Sequence, residues 1–191
     1  LLDPRDSNCC ILVGKIYESC SKCMGNPGFS LYLPRFNEWN LTNKMMKLLF
    51  FDLETTGIKY WRNGIHQISG AVVIDGETKE TFNFHVCPHP KCEVDQQALD
   101  VCHVTREQIF AYPPMQTVYQ QLVQLLGKYV DKYNKQDRFF LVGYNNASFD
   151  NAFLKAFFVQ NGDNYFYSWF WVNSIDVMVL ATQHLLAKRK Q

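Results

Sequence analysis

The sequence predicts a layered α/β domain over residues 45–191, and three observations carry that expectation. The run "KLLFF" at 47–51, apolar from Leu48 onward, has the length and flanks of a buried strand. Alternation at Phe82, Phe84 and Val86 marks a second kind of strand, apolar on one face only. From Met115 to Tyr129, apolar residues recur at helical spacing. With 191 residues, 47% of them apolar and 15% aromatic, the chain can bury one proper core.

The elements follow in order. "KLLFFDLE" reads as a buried strand, "HQISGAVVID" as a second and "ETFNFHV" as a third, with Asp75, Gly76 and Glu77 supplying the turn between the last two. In "PPMQTVYQQLVQLLGKYV" the stripe is Met115, Val118, Tyr119, Leu122, Leu125, Leu126 and Tyr129, so a helix is predicted through this segment. The run "RFFLVGYN" predicts a strand, and Phe149, Phe153 and Phe157 a helix that starts near Ser148. A last helix is expected in "IDVMVLATQHLLAKRK". Strands followed by alternating helix and strand make a mixed sheet with flanking helices.

Residues 1–44 differ in character. They mix Pro, Gly, Asn and Cys without helical or alternating period, and are expected to be an irregular extension. Cys20 and Cys23 could form half of a zinc site with Cys9 or Cys10, or stay unmetallated, because a second spaced knuckle is not visible. A third reading takes these residues as non-native, since "MMKLLFFDLETTG" from Met45 resembles an ordinary initiation site. The seven cysteines are an odd, scattered set, for which reduced thiols are the expectation.

Nineteen basic against eighteen acidic residues give a formal net charge of +1, which excludes the broad basic field of bulk polyanion binding. Any polyanion must be held locally. No apolar stretch reaches membrane-spanning length and no charged-then-apolar leader opens the chain, so a cytoplasmic protein without a membrane partner is expected.

The chemistry concentrates in "FFDLETTG". On a strand, Asp52 and Glu54 project to the same face. At about 5 Å and an effective dielectric near 20 their repulsion is roughly 3 kcal/mol if both are ionised. A lone D-x-E in a loop would cap a turn or pair with lysines, but this one ends an apolar strand and runs into Thr55, Thr56 and Gly57. Clustered carboxylates with small neighbours suit a hard dication, Mg²⁺ or Mn²⁺. A second stretch, "LVGYNNASFDNAFL", ends a strand near Asn145 or Asn146 and puts Asp150 in the first turn of the next helix, where the helix dipole alone would also favour it.

Together the two stretches resemble the DEDD superfamily of 3′-to-5′ exonucleases, in particular the DEDDh branch that contains the epsilon proofreading subunit of bacterial DNA polymerase III. "FDLETTG" matches the first family motif, "NNASFD" the second, and "QALDVCHVTREQI" is similar to the family's substrate-side loop. The resemblance implies an RNase H-like fold and two-metal hydrolysis of a phosphodiester at a nucleic-acid 3′ end. It implies that Asp52 and Glu54 hold one Mg²⁺ or Mn²⁺ ion, that Asp52 bridges to a second, and that Asp150 supports the second ion's shell. Thr55 and Thr56 map to the backbone that meets the terminal nucleotide. Asn146 and Phe149 map to the flanks of the cleft, where an aromatic ring can stack on a base, and His103 maps to a possible substrate contact. Core or capping roles are open for Asn146, Phe149 and His103.

Two departures stand out. The family carries a third motif, a His five residues before a metal-binding Asp, or in a sister branch a Tyr four before it. Ahead of Asp176 those positions hold Trp171 and Val172; ahead of Asp163 they hold Phe158 and Val159; five after His184 stands Arg189. The chain is therefore expected to be an exonuclease domain whose C-terminal part is missing, or a non-catalytic relative, with Asp176 a structural helix-start residue. In the substrate-side loop, Cys102 stands where the family usually has Asn or His. The expected partner is a single-stranded 3′ end, DNA ahead of RNA, with a DNA polymerase subunit as a possible second. An RNA-trimming exonuclease and a nucleic-acid- or polymerase-binding module are the alternatives.

Overall fold

The computed structural model describes residues 45–188. The extension up to residue 44, with the Cys20 and Cys23 pair, lies outside them. Five strands form one sheet in the order β3-β2-β1-β4-β5. Strand β1 (Lys47–Thr55) pairs antiparallel with β2 (Ile65–Ile74), which pairs antiparallel with β3 (Glu77–His85). On its other edge β1 runs parallel to β4 (Phe140–Gly143), and β4 to the two-residue β5 (Ile175–Asp176).

The central place of β1 explains its unalternating sequence. Residues 47–51 are buried throughout because both faces of the strand are covered. Leu49, Phe51 and Leu53 enter the larger core, Leu48 and Phe50 a smaller one on the opposite face. The β2–β3 turn has positive φ at both Asp75 (51°) and Gly76 (84°), the twist a two-residue hairpin needs. Gly70 is required by close approach: a Cβ there would lie 2.1 Å from the Phe50 carbonyl oxygen and 2.6 Å from the Phe82 ring.

Two short helices, α1 (Gln96–Cys102) and α2 (Arg106–Phe110), follow β3 and were not legible as periodic segments. α2 carries a capping box, with the Thr105 side chain accepting the Gln108 N–H and the Gln108 side chain accepting the Thr105 N–H. α3 (Met115–Gly127) buries Val118, Leu122, Leu125 and Leu126. It stops three residues short of the predicted segment, and Tyr129 packs on the core from beyond its end. α4 (Asp150–Gln160) buries Phe153, Leu154, Phe157 and Phe158. α5 (Phe166–Trp169), also unpredicted, adds Phe166 and Trp169 to the same core.

The last predicted helix begins later than its sequence suggests. Ile175 and Asp176 pair with Val142 and Gly143 as β5, and α6 (Val177–Lys188) starts after them. Its first residue, Val177, seals the smaller core, whereas Val179, Leu185 and Leu186 are exposed. Among the described residues no helix is long and apolar enough to cross a membrane, and no disulfide links Cys87, Cys92 and Cys102.

Candidate functional site

The parallel pairing of β1 with β4 ends at Phe50 and Val142, although β1 continues to Thr55. β4 itself ends at Gly143, so β1 runs on beyond it, and the opening beside that carboxyl end is where ligands sit in sheets of this kind. Asp52 and Glu54 lie on the stretch of β1 beyond the last pair. Both are half-buried and share one face, opposite Ser69 and Gln67 of β2. A register shift between Glu54 and Thr55 turns the strand away immediately afterwards.

Asp150 enters the opening from the first turn of α4. Only 5% exposed, its carboxyl is pushed up to about 7, first by burial and then by the negative charge of Asp52, with a smaller push from Glu54. Bonds from its own N–H and from the N–H of Leu53 act the other way. Leu53 is the residue between the two strand carboxylates, so Asp150 docks on the stretch of backbone that carries them. The joint effect of the three carboxyl groups is a negative potential that burial intensifies. All-oxygen donors under such a potential fit a hard dication, although no three His, Cys, Asp or Glu side chains among the described residues form a ready-made cage.

The segment between β4 and α4 is held from outside. The Asp176 carboxylate accepts the N–H of Asn145 at 2.9 Å, of Ala147 at 3.4 Å and of Met178 at 3.0 Å. It therefore caps α6 and ties down the segment that leads into Asp150. Asn145 takes a left-handed conformation (φ 59°). Asn146 is fully buried, donates from Nδ2 to Asn151, and leaves Oδ1 without a partner among the described residues. Phe149 occupies the N-cap position of α4 without a side-chain capping bond, and its ring packs on Phe153 with centroids 4.9 Å apart.

The predicted backbone contacts after the first motif are more enclosed than expected. Thr56 is fully buried; its hydroxyl donates to the Glu93 carbonyl and accepts the Gly64 N–H, while its own N–H and carbonyl bond Gly64 and Asp95. Thr55 is 8% exposed and donates to the Gly57 carbonyl. Gly57 fits because a Cβ would meet Asp95 at 2.2 Å and Asn63 at 2.5 Å. Asn63 organises the whole turn, accepting the Lys59 N–H and donating to the Thr56 and Glu93 carbonyls. This arrangement holds Ile58, Tyr60 and Trp61 out in solvent, the last 68% exposed.

His103 is the left-handed C-cap of α1 (φ 55°). Its neighbour Cys102, the last residue of α1, brings its thiol to 3.0 Å from Glu54 Oε2. Sequence reasoning had marked Cys102 only as a departure from pattern. The helix-start role expected for Asp176 holds; its anchoring of Asn145 and Ala147, the pairing of Cys102 with Glu54 and the bond of Asn63 to the Glu93 carbonyl were missed, since each joins residues far apart in sequence.

Comparison with known proteins bears on this arrangement. No curated protein sequence matched. Among solved structures, E. coli Exonuclease I in complex with a dA16 oligonucleotide aligns with a TM-score of 0.61 at 20% identity, over 73% of this chain and 30% of that one. Its complex with a dT13 oligonucleotide gives 0.59 at 21% identity over the same shares. A product-bound exonuclease I gives 0.58 at 18% identity, over 72% of this chain and 31% of the other. The chain thus spans about a third of the length of the structures it resembles, and at these identities the likeness establishes the fold, an RNase H-like exonuclease domain. The family model described as RNase_T, exonuclease, matches residues 49–185, from Leu49 in β1 to near the end of α6. With the match covering most of the sequence, the chain belongs to the RNase_T exonuclease family.

Proposed function

We propose that residues 45–191 belong to a divalent-metal-dependent 3′-to-5′ exonuclease of the DEDDh branch, acting at single-stranded 3′ ends, DNA ahead of RNA, in proofreading or repair. One observation carries the reading: Asp150 reaches the open carboxyl end of β1 and feels the charge of both Asp52 and Glu54. A fold gains nothing in stability from three converging carboxyl groups. A dication converts that liability into binding energy.

In this reading Asp52, Glu54 and Asp150 hold two Mg²⁺ or Mn²⁺ ions, with water and substrate phosphate completing the shells as is usual for Mg²⁺. The chemistry such ions supply is activation of a water and stabilisation of the leaving 3′ oxygen. The protein's own share is positioning. The buried Asn146 Oδ1 offers an acceptor in the segment that leads into Asp150, Phe149 and the exposed Tyr60 and Trp61 offer rings on which unpaired bases stack, and Thr55 and Thr56 keep the turn after β1 rigid. The exposed rings favour a single strand over a duplex, and the oligonucleotide complexes of Exonuclease I favour DNA. A cytoplasmic location and a polymerase partner of the epsilon kind belong to the same proposal.

The test begins with Mn²⁺ titration followed by thermal melting. The wild-type chain is expected to be stabilised, and Asp52→Ala with Asp150→Ala is expected to abolish the effect. Cation-independent melting in the wild type would sink the reading. Because neither third-motif residue occurs in the 191 residues, turnover by this chain on labelled DNA is expected to be slight. A binding module would instead retain oligonucleotide in Asp52→Ala with no dependence on the cation.

A further inference from the structure

The described carboxylates that form ion pairs have cationic partners: Glu77 takes Lys79, Glu80 takes Lys128, Glu93 takes Arg62 and Asp137 takes Lys47. Glu54 instead takes a thiol, at 3.0 Å from Oε2. We propose that Cys102 is the positioning residue for Glu54, a neutral donor that orients the carboxylate for a divalent cation without cancelling the charge that attracts it. This rests on the function proposed above.

The placement is built into the fold. α1 is anchored by Leu99, which is fully buried, and its C-terminus is closed by the His103 N–H on the Asp100 carbonyl and the Val104 N–H on the Leu99 carbonyl. At the other end, the Asp95 N–H bonds the Thr56 carbonyl, two residues beyond Glu54, which ties the start of α1 to the end of β1. Cys102 is therefore presented to Glu54 by a helix pinned to the same strand. A thiol is a weak donor, enough to choose an orientation of the carboxylate. A lysine or arginine there would orient it too, but would occupy the charge a cation needs. Groups that hold metal ligands in this way typically change metal affinity or activity 10- to 100-fold when removed.

Three proteins test the assignment: wild type, Cys102→Ala and Cys102→Ser, with Mn²⁺ affinity measured by calorimetry. The alanine variant is expected to bind Mn²⁺ about tenfold more weakly. The serine variant, which keeps a donor at the same place, is expected to recover to within about twofold of wild type. Metal-free melting temperatures of wild type and Cys102→Ser should stay close, since both keep a donor to Glu54. Unchanged affinity in Cys102→Ala would overturn the proposal, and so would a serine variant as weak as the alanine one, which would make side-chain volume the cause. Glu54→Gln separates the two levels of inference. If it weakens Mn²⁺ binding while Cys102→Ala does not, only the role of Cys102 fails; if the wild-type chain gives no saturable Mn²⁺ binding, the proposed function fails with it.

Discussion

Asp150, at the start of α4, holds its proton well above the usual carboxylate range, first because it is buried and then because Asp52, on the central strand, sets a second negative charge beside it. In the metal-free protein Asp150 is held neutral up to about pH 7, whereas in the unfolded chain it ionises near its ordinary value of 3.8. Across that window the native state binds the extra proton, so this group's contribution to stability falls as pH rises from about 4 to about 7. Asp150→Asn is expected to remove the fall, a change of up to roughly 4 kcal/mol. Denaturant melts in a chelator at a series of pH values would measure it.

His66 works in the opposite sense over nearly the same range. It is 1% exposed, neither ring nitrogen has a partner among the described residues, and burial, helped by the charge of His85, pushes it down to about 4. The unfolded histidine takes up its proton near 6.5, so stability is lost as pH falls from about 6.5 to about 4. The two slopes oppose each other in the metal-free wild type, whose stability should be nearly flat there. Asp150→Asn is expected to expose a profile that rises with pH, and His66→Leu one that falls. A steep wild-type profile in either direction would show that one of the groups is not buried as described.

Asp176→Ala should act on the site without touching it. Its carboxylate ties Asn145, Ala147 and Met178 together, and removal leaves three backbone N–H groups without their acceptor. A loss of about 2–3 kcal/mol in stability is expected, with Mn²⁺ affinity reduced because Asp150 follows the loosened segment. Asp176→Asn should recover part of both. Hydrogen exchange at residues 144–149 would localise the change.

Gly70→Ala is expected to be more damaging than its size suggests. The added Cβ meets the Phe50 carbonyl, a backbone atom of the central strand that cannot swing aside. More than about 3 kcal/mol should be lost, whereas Gly76→Ala, with open space around it, should suffer only the strain of its positive φ.

The regular elements that line the core were legible because their periodicity is a local property. Phe82 and Phe84 alternate, Leu122, Leu125 and Leu126 recur at helical spacing, and Asp75 with Gly76 announces a tight turn. The short helices were not, since α1, α2 and α5 span too few turns for a pattern to repeat. At α6 the apolar run was visible, but its first two residues were claimed by β4, because pairing with Val142 and Gly143 satisfies backbone groups that a helix start would leave open.

For the site, the division runs along the same physical line. The types and spacing of Asp52, Glu54 and Asp150 are written in two short stretches, and strand period alone puts the first two on one face. That Asp150 meets them, that Cys102 rather than a cation faces Glu54, and that Asp176 serves the segment before Asp150 are consequences of which strands neighbour one another. Contacts between residues so distant in sequence leave no periodic trace, because they come into being only when the core closes and brings β1, β4 and α1 together.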